Sequence, residues 1–223
     1  MWCIPPKQDA AFVAQMEQVL QVYARPYDSS HPVVCMDEQP KQLIREVRDP
    51  ITTSKGEQHI DHEYIRQGVC HVWMFTDPLG RWRDVRVSDR RTAIDWAWQI
   101  KALVDDPRYA HADRITLVCD QLNTHTLGSL YRAFTAQEAL RIANRIELIH
   151  TPKHGSWLNI AECELSVLTR QCLDRRIAQV PMIDREARAW TTTRNANQTG
   201  VDWRFTTDQA RNKLKRLYPK IVE

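Results

Sequence analysis

Apolar and polar positions change their spacing several times along the chain, and each spacing predicts a different element. From residue 8 to 25, apolar side chains recur every three or four positions, which predicts an amphipathic helix. The short apolar run 33–36 begins with two valines and predicts a buried strand, which Asp37 follows. Residues 39–67 are polar and irregularly spaced, so we expect a mobile loop there.

The middle of the chain alternates β-prone runs with helical spacing. Two β-prone runs, 69–75 and 81–87, flank a segment with the turn formers Pro78 and Gly80, which predicts a hairpin. The further elements predicted along the chain are a helix from Ser88 or Asp89 to about Val104, a strand at 115–119, a helical stretch at 127–143, a strand at 146–150 and a helix from about 160 to 172. Because helices link the later strands, we expect those strands to lie parallel in an α/β fold.

Length and composition restrict the chain to a protein with a substantial core. It has 223 residues, of which 43% are hydrophobic and 26% charged, enough for one domain, or one domain with an extension. No apolar run approaches the roughly 20 residues needed to cross a bilayer, and the first residues do not form a signal peptide. We therefore expect a cytoplasmic protein whose six cysteines, which form no CxxC pair, are reduced core thiols.

Charge is distributed unevenly along the chain. The net charge is +3, but residues 203–220 contain six arginines and lysines and only one acid, Asp208. A basic segment on a near-neutral body is compatible with a polyanionic partner. The sequence equally supports a solvated helix that only keeps the protein soluble.

Aspartates follow two of the predicted strands. Asp37 comes after the run 33–36, and Asp120 comes after the run 115–119. Ligands of open α/β sheets bind at the carboxyl ends of the strands, so these two side chains would converge there. Two carboxylates held close need either a raised pKa or a cation between them, and hard oxygen ligands suit Mg²⁺ or Mn²⁺. The alternative is that each aspartate only caps its strand or starts a turn.

A third ligand would come from the helix predicted at about 160–172. Glu162 and Glu164 lie on opposite shoulders of its apolar stripe, so only one of them can face the aspartates. Periodicity does not choose between the two. Asn159 and Glu162 also have the spacing of a capping box, which offers a purely structural role for Glu162.

Four segments of the chain form a recognisable set. They are V-C-M-D-E (34–38), L-V-C-D-Q-L-N-T-H (117–125), T-P-K-H-G-S-W-L-N-I-A-E (151–162) followed by V-L-T-R-Q-C-L (167–173), and W-R-F-T-T-D-Q-A-R-N-K-L-K-R-L-Y-P (203–219). In this order they resemble a DDE transposase of the mariner superfamily, in its bacterial insertion-sequence branch. The third and fourth segments are long and the most specific.

The resemblance implies an RNase H-like fold, with a mixed five-stranded sheet, an antiparallel hairpin plus parallel strands, flanked by helices. It implies three regions: an N-terminal helical extension (1–30), the catalytic domain (31–178) and a basic C-terminal helical segment packed on that domain (179–223). Family members usually carry an N-terminal helix-turn-helix region, for which about 30 residues before the first strand are too few. We therefore expect the catalytic half alone, with a separate helix-turn-helix polypeptide as a possible partner.

The resemblance also implies a site and an activity. The metal-binding triad maps onto Asp37, Asp120 and Glu162, rather than Glu164, with two Mg²⁺ or Mn²⁺ ions. The implied function is metal-dependent cleavage and strand transfer of double-stranded DNA, at element ends and target, by a homodimer or higher assembly associated with the nucleoid. The alternative is a catalytically silent DNA-binding or assembly partner of a full-length transposase.

Further residues are expected around this triad. His125, His154 and Asn123 are possible auxiliary residues that position a phosphate or a water, although each histidine could instead satisfy a loop backbone. A zinc site of His150, His154 and Cys163 is disfavoured because the spacing fits no common zinc motif. The candidate contacts to DNA phosphates are Lys153, Arg170, Arg175, Arg176, Arg204, Arg211, Lys213, Lys215 and Arg216.

Overall fold

The computed structural model describes residues 4–5, 7–59 and 61–220. Its strands, in chain order, are β1 (Val33–Glu46), β2 (Ile51–Thr52), β3 (Gln58–His59), β4 (Tyr64–Asp77), β5 (Trp82–Ser88), β6 (Ile115–Cys119) and β7 (Ile146–His150). Its α-helices are α1 (Ala10–Tyr23), α2 (Ala93–Val104), α3 (Leu130–Ala133), α4 (Ala136–Asn144), α5 (Ile160–Leu168), α6 (Val180–Ala196) and α7 (Thr207–Lys213). Short 3₁₀ turns lie at Pro107–Tyr109, Leu127–Ser129, Ser156–Leu158 and Lys215–Leu217, and a π-helical turn lies at Thr169–Leu173.

The central sheet has five strands in the order β5-β4-β1-β6-β7. The β4–β5 hairpin and the β1–β4 pair are antiparallel, whereas β1, β6 and β7 run parallel. Helix α2 connects β5 to β6, and α3 and α4 connect β6 to β7. The mixed five-stranded sheet expected from the sequence is therefore confirmed.

The prediction of a loop at 39–67 is wrong for most of this segment, which is largely strand. Strands β1 and β4 are 14 residues each, and they pair from Cys35 opposite Thr76 as far as Glu46 opposite Tyr64. The outer half of this ribbon is largely exposed, so its residues have no need of apolar alternation. Its backbone polar groups are satisfied by the ladder instead.

Several helix boundaries also differ from the sequence-based expectation. Helix α2 begins after Thr92, whose side chain forms a capping box with Asp95, and not at Ser88 or Asp89. Ser88 belongs to β5, where its hydroxyl accepts a hydrogen bond from the Trp73 indole at 2.7 Å. The helical stretch 127–143 is divided, because Thr135 caps a new helix, α4.

Apolar side chains cover both faces of the sheet. One cluster joins the sheet to α1, α5, α6 and the C-terminal turns, and the other joins it to α2, α3 and α4. Among the described residues, no helix is long and apolar enough to span a membrane. The division into regions 1–30, 31–178 and 179–223 stays a prediction.

The cysteines only partly match the expected core thiols. Cys35, Cys70 and Cys119 are buried and free. Cys172 is only partly buried, and Cys163 is exposed on α5, so the expectation is wrong for Cys163. It stands next to Glu162 on the polar side of its helix. Cys3 lies outside the described residues.

Candidate active site

The two aspartates predicted to converge lie at the same edge of the parallel part of the sheet. The pairing of β1 with β6 ends at Cys35 opposite Val118. Asp37 is two residues beyond that pair, and Asp120 directly follows β6. Strand β1 itself does not end at Met36 as expected, because β4 continues to pair with it on the other side.

Glu162 completes this group of carboxylates. Asp37, Asp120 and Glu162 line one open cleft of about 530 Å³, together with residues of α5 and its π-helical turn. Glu162 is exposed in the first turn of α5. Glu164 is buried and forms ion pairs with Arg83 at 3.1 Å and Arg194 at 2.9 Å. The helix therefore presents Glu162 to the cleft and Glu164 to the core.

Asn159 holds the start of α5 beside Asp37. Its side-chain amide donates to the Met36 carbonyl of β1 at 2.8 Å, and its side-chain oxygen accepts from the Ala161 N–H. The Asn159 N–H donates to the carbonyl of Ser156. The capping box considered from the sequence is thus not formed, and Glu162 is not engaged in it.

Four carboxylates, those of Asp37, Glu38, Asp120 and Glu162, line the cleft beside one basic side chain, Arg170. Burial, together with the negative charges of Glu38, Asp120 and Glu162, raises the pKa of Asp37 to about 7. Such a shift means that ionising all the carboxylates is costly unless a cation is present. Within the described part of the chain, no three acidic, histidine or cysteine side chains already stand together as a ready metal site. The oxygen donors and the charge nevertheless fit Mg²⁺ or Mn²⁺, which would draw the carboxylates closer.

His125 is buried behind Asp120. Its side chain is 1% exposed, its Nδ1 lies 2.5 Å from Asp120 Oδ1, and its ring stacks on Trp96 at 5.8 Å between centroids. Burial acts to raise the pKa of Asp120, but the hydrogen bond and the charge of His125 outweigh it, so that this pKa is lowered. Asp120 is therefore ionised at neutral pH and accepts the hydrogen bond, which places the proton on Nδ1.

Glu38 is a residue that the sequence reasoning missed. Its carboxylate is buried, with Oε2 lying 3.4 Å from His125 Nε2 and Oε1 lying 3.3 Å from Arg91 Nη1. Burial and the nearby charge of Asp120 raise the pKa of Glu38, against the effect of His125 and Arg91. The available signal was its position directly after Asp37, which places it on the opposite face of β1.

The other auxiliary candidates are more exposed. His154 and Lys153 line a second groove that shares Asp120 with the cleft, and His154 has a positive φ of 64°. Asn123 is exposed and is not among the residues that line either groove. His150 Nε2 bonds to the His125 carbonyl at 2.9 Å, so the zinc set with His154 and Cys163 is not assembled in the described residues.

The nine basic candidates fall into three groups. Arg170 lines the carboxylate cleft, as Lys153 lines the adjoining groove. Four others have acidic partners within the chain: Arg175 with Glu186, Arg176 with Glu46, Arg204 with Asp202, and Arg211 with Glu17. Lys213 lies over the Phe205 ring, and Lys215 and Arg216 are exposed.

Solved structures of a mariner transposase have a similar fold. The Mos1 mariner paired end complex with Mn aligns at a TM-score of 0.55 and 14% identity, over 87% of this chain and 60% of that one. The Mos1 paired end complex with Mg aligns at a TM-score of 0.57 and 12% identity, over 97% and 66%. The chain thus spans about 60% of the length of the solved protein. The RNase H-like fold is confirmed by this likeness.

The family comparison covers the whole central sheet and the carboxylate cleft. No curated protein compared with the chain matches it. The profile of the DDE superfamily endonuclease family matches residues 32–183, a stretch that includes Asp37, Asp120 and Glu162. Because this match extends over more than half of the sequence, the chain belongs to the DDE superfamily of endonucleases.

Proposed function

We propose that this chain is the catalytic part of a DDE transposase, which cleaves DNA strands and transfers them at insertion-sequence ends. The observation that carries the proposal is the convergence of Asp37, Asp120 and Glu162 on one cleft, where burial and the neighbouring negative charges raise the pKa of Asp37 to about 7. A cleft in which carboxylates outnumber basic side chains is costly for a structural protein and suits a metal-dependent nuclease.

The carboxylates have a defined task in this reaction. Asp37, Asp120 and Glu162 would hold two Mg²⁺ or Mn²⁺ ions, and such ions would stabilise the attacking and leaving oxygens of an in-line displacement at a phosphodiester. Asn159 fastens the helix that carries Glu162 to the strand that carries Asp37. With water as the nucleophile the outcome is strand cleavage, and with a 3′-hydroxyl it is strand transfer.

Basic side chains at the cleft hold the DNA backbone. Arg170 lines the cleft, and Lys153 lies in the groove that also contains Asp120. Both are exposed, and contacts of this kind position a duplex without reading its sequence. We propose double-stranded DNA, element ends and target, as the substrate at the nucleoid, with Arg170 and Lys153 as the first contacts.

The assembly is part of the proposal. The solved relatives are described as paired end and strand transfer complexes, and joining two DNA ends calls for two catalytic clefts. We therefore propose a homodimer or a higher assembly.

A nicking assay tests the function. The chain is incubated with Mn²⁺ or Mg²⁺ and a duplex that carries the element end, as wild type and as Asp37→Asn, Asp120→Asn and Glu162→Gln. Asp113→Asn is the matched control, because Asp113 is an exposed carboxylate just before β6, at the opposite end from Asp120. Nicking is expected in the wild type and the control only. Nicking at the wild-type rate in Asp120→Asn would refute the triad, and binding without cleavage by the wild type would favour the silent partner.

A further inference from the structure

Asp120 is held by the buried side chain of His125, which in turn faces Glu38, a buried carboxylate at the inner edge of the same cleft. His125 and Glu38 have side chains only 1% and 2% exposed, and they face each other through Nε2 and Oε2 at 3.4 Å. Among the described residues neither atom makes a hydrogen bond, so the two are in contact without one. Burying a histidine and a carboxylate costs free energy, so their burial calls for an explanation beyond packing.

The hydrogen bonds of Asp120 are directed to one of its two oxygens. Oδ1 accepts from His125 Nδ1 at 2.5 Å and from the Leu122 N–H at 3.4 Å. Within the described residues, Asp120 Oδ2 accepts no hydrogen bond. The carboxylate is thus anchored from behind through Oδ1, which leaves Oδ2 for the cleft.

His125 is itself fixed on several sides. Its ring stacks on Trp96, its backbone carbonyl accepts a hydrogen bond from His150 at 2.9 Å, and its N–H donates to the Leu122 carbonyl. Glu38 closes the remaining side and is in turn held by Arg91. An aliphatic side chain would fill the space against Trp96, but it would leave Asp120 Oδ1 without its strongest donor.

We propose that His125 and Glu38 are positioning residues for the reaction: His125 orients Asp120 as a cation ligand, and Glu38 orients His125. The inference rests on the proposed function, since it assigns a second layer to the same site. Neither residue needs to contact DNA or a metal ion. Residues that orient a ligand in this way typically change metal affinity by 10–100-fold when they are replaced.

The test measures the dissociation constant for Mn²⁺ by calorimetry, alongside thermal unfolding and nicking. His125→Leu is expected to raise the dissociation constant about 10–100-fold. His125→Asn should recover most of the affinity, because the asparagine amide nitrogen can stand where Nδ1 stands, whereas His125→Gln places its amide near Nε2 and should not. His111→Leu, at an exposed histidine, is the control and should bind Mn²⁺ as the wild type does.

A double-mutant cycle tests the role of Glu38. As a single substitution, Glu38→Gln should weaken Mn²⁺ binding. In the His125→Leu background it should weaken Mn²⁺ binding no further, because Glu38 acts through His125. Additive effects would mean that Glu38 acts on the cation by its charge, which contradicts the assigned role.

The outcomes separate this inference from the function on which it rests. If the wild type binds Mn²⁺ and nicks DNA while His125→Leu has the same dissociation constant, the positioning role is refuted and the function stands. If the wild type neither binds Mn²⁺ nor nicks DNA, the function fails and the inference fails with it. Should His125→Leu not fold, equal affinities for the Asn and Gln variants would overturn the proposal.

Discussion

Two glutamates one residue apart on α5 should respond in opposite ways to the loss of their charge. Glu164 is enclosed by Arg83 and Arg194, and the side chains of the three residues are 3%, 0% and 18% exposed. Glu162 is exposed in the cleft. Replacing each by glutamine keeps the volume and removes only the charge.

The size of the effect follows from the burial. Removing one partner from a buried ion pair costs about 3–5 kcal/mol. Arg83 retains hydrogen bonds to the Asn195 side chain and the Thr199 carbonyl. We therefore expect Glu164→Gln to lower the free energy of unfolding by about 3 kcal/mol, the lower end of this range. For a chain of this length each kcal/mol lowers Tm by about 2–4 °C, which gives a fall of roughly 6–12 °C. Glu162→Gln should stay within about 0.5 kcal/mol of the wild type.

Urea unfolding and the nicking assay together check this prediction. Glu164→Gln should lose stability and keep Mn²⁺-dependent nicking below its melting range, whereas Glu162→Gln should keep stability and lose nicking. The reasoning is refuted if Glu164→Gln costs less than about 1 kcal/mol, or if Glu162→Gln destabilises the chain equally.

Three further predictions follow from particular contacts. Because the pKa of Asp37 is raised to about 7, the metal-free wild type should lose stability as pH rises from about 4 to 7. In urea unfolding, Asp37→Asn should show a flatter dependence of stability on pH and greater stability than the wild type at pH 8. Identical pH profiles for the two proteins would contradict this prediction. Gly155→Ala should destabilise the chain by about 1–3 kcal/mol, since a Cβ there would lie 2.6 Å from Pro152 Cγ and 2.9 Å from its carbonyl oxygen; an unchanged Tm would count against that packing. Arg170→Gln should weaken duplex binding and reduce the slope of log affinity against log salt concentration by about one. Fluorescence anisotropy at several salt concentrations measures this slope. An unchanged slope would mean that Arg170 does not contact the DNA.

Hydrophobic spacing predicted the order of elements because the sheet and its flanking helices bury apolar stripes. It failed on the outer half of the β1–β4 ribbon, where Gln42 to Glu46 pair with β4 while most of the surrounding side chains face solvent. A strand held mainly by its backbone ladder leaves little signal in the side-chain pattern. It also failed at the start of α2, since Thr92, Ser88 and Asp89 are all acceptable caps by composition.

The carboxylates of the candidate site could be predicted from the sequence, but the residues that hold them in place could not. Asp37 and Asp120 are marked by their position after apolar runs, and the choice of Glu162 over Glu164 needed the family resemblance. The partners of these residues are far apart in sequence, as Glu38 and His125 illustrate. Strand alternation separates Glu38 from the adjacent Asp37, but only the folded chain shows that Glu38 lies against His125.

Anomalous diffraction from crystals soaked in Mn²⁺ tests most directly the claim that one cleft of this chain binds catalytic cations. Two anomalous peaks are predicted among the carboxylates of Asp37, Asp120 and Glu162, and they should disappear in Asp120→Asn crystals. A cleft without any peak at saturating Mn²⁺, or peaks that persist unchanged in the variant, would contradict the assignment.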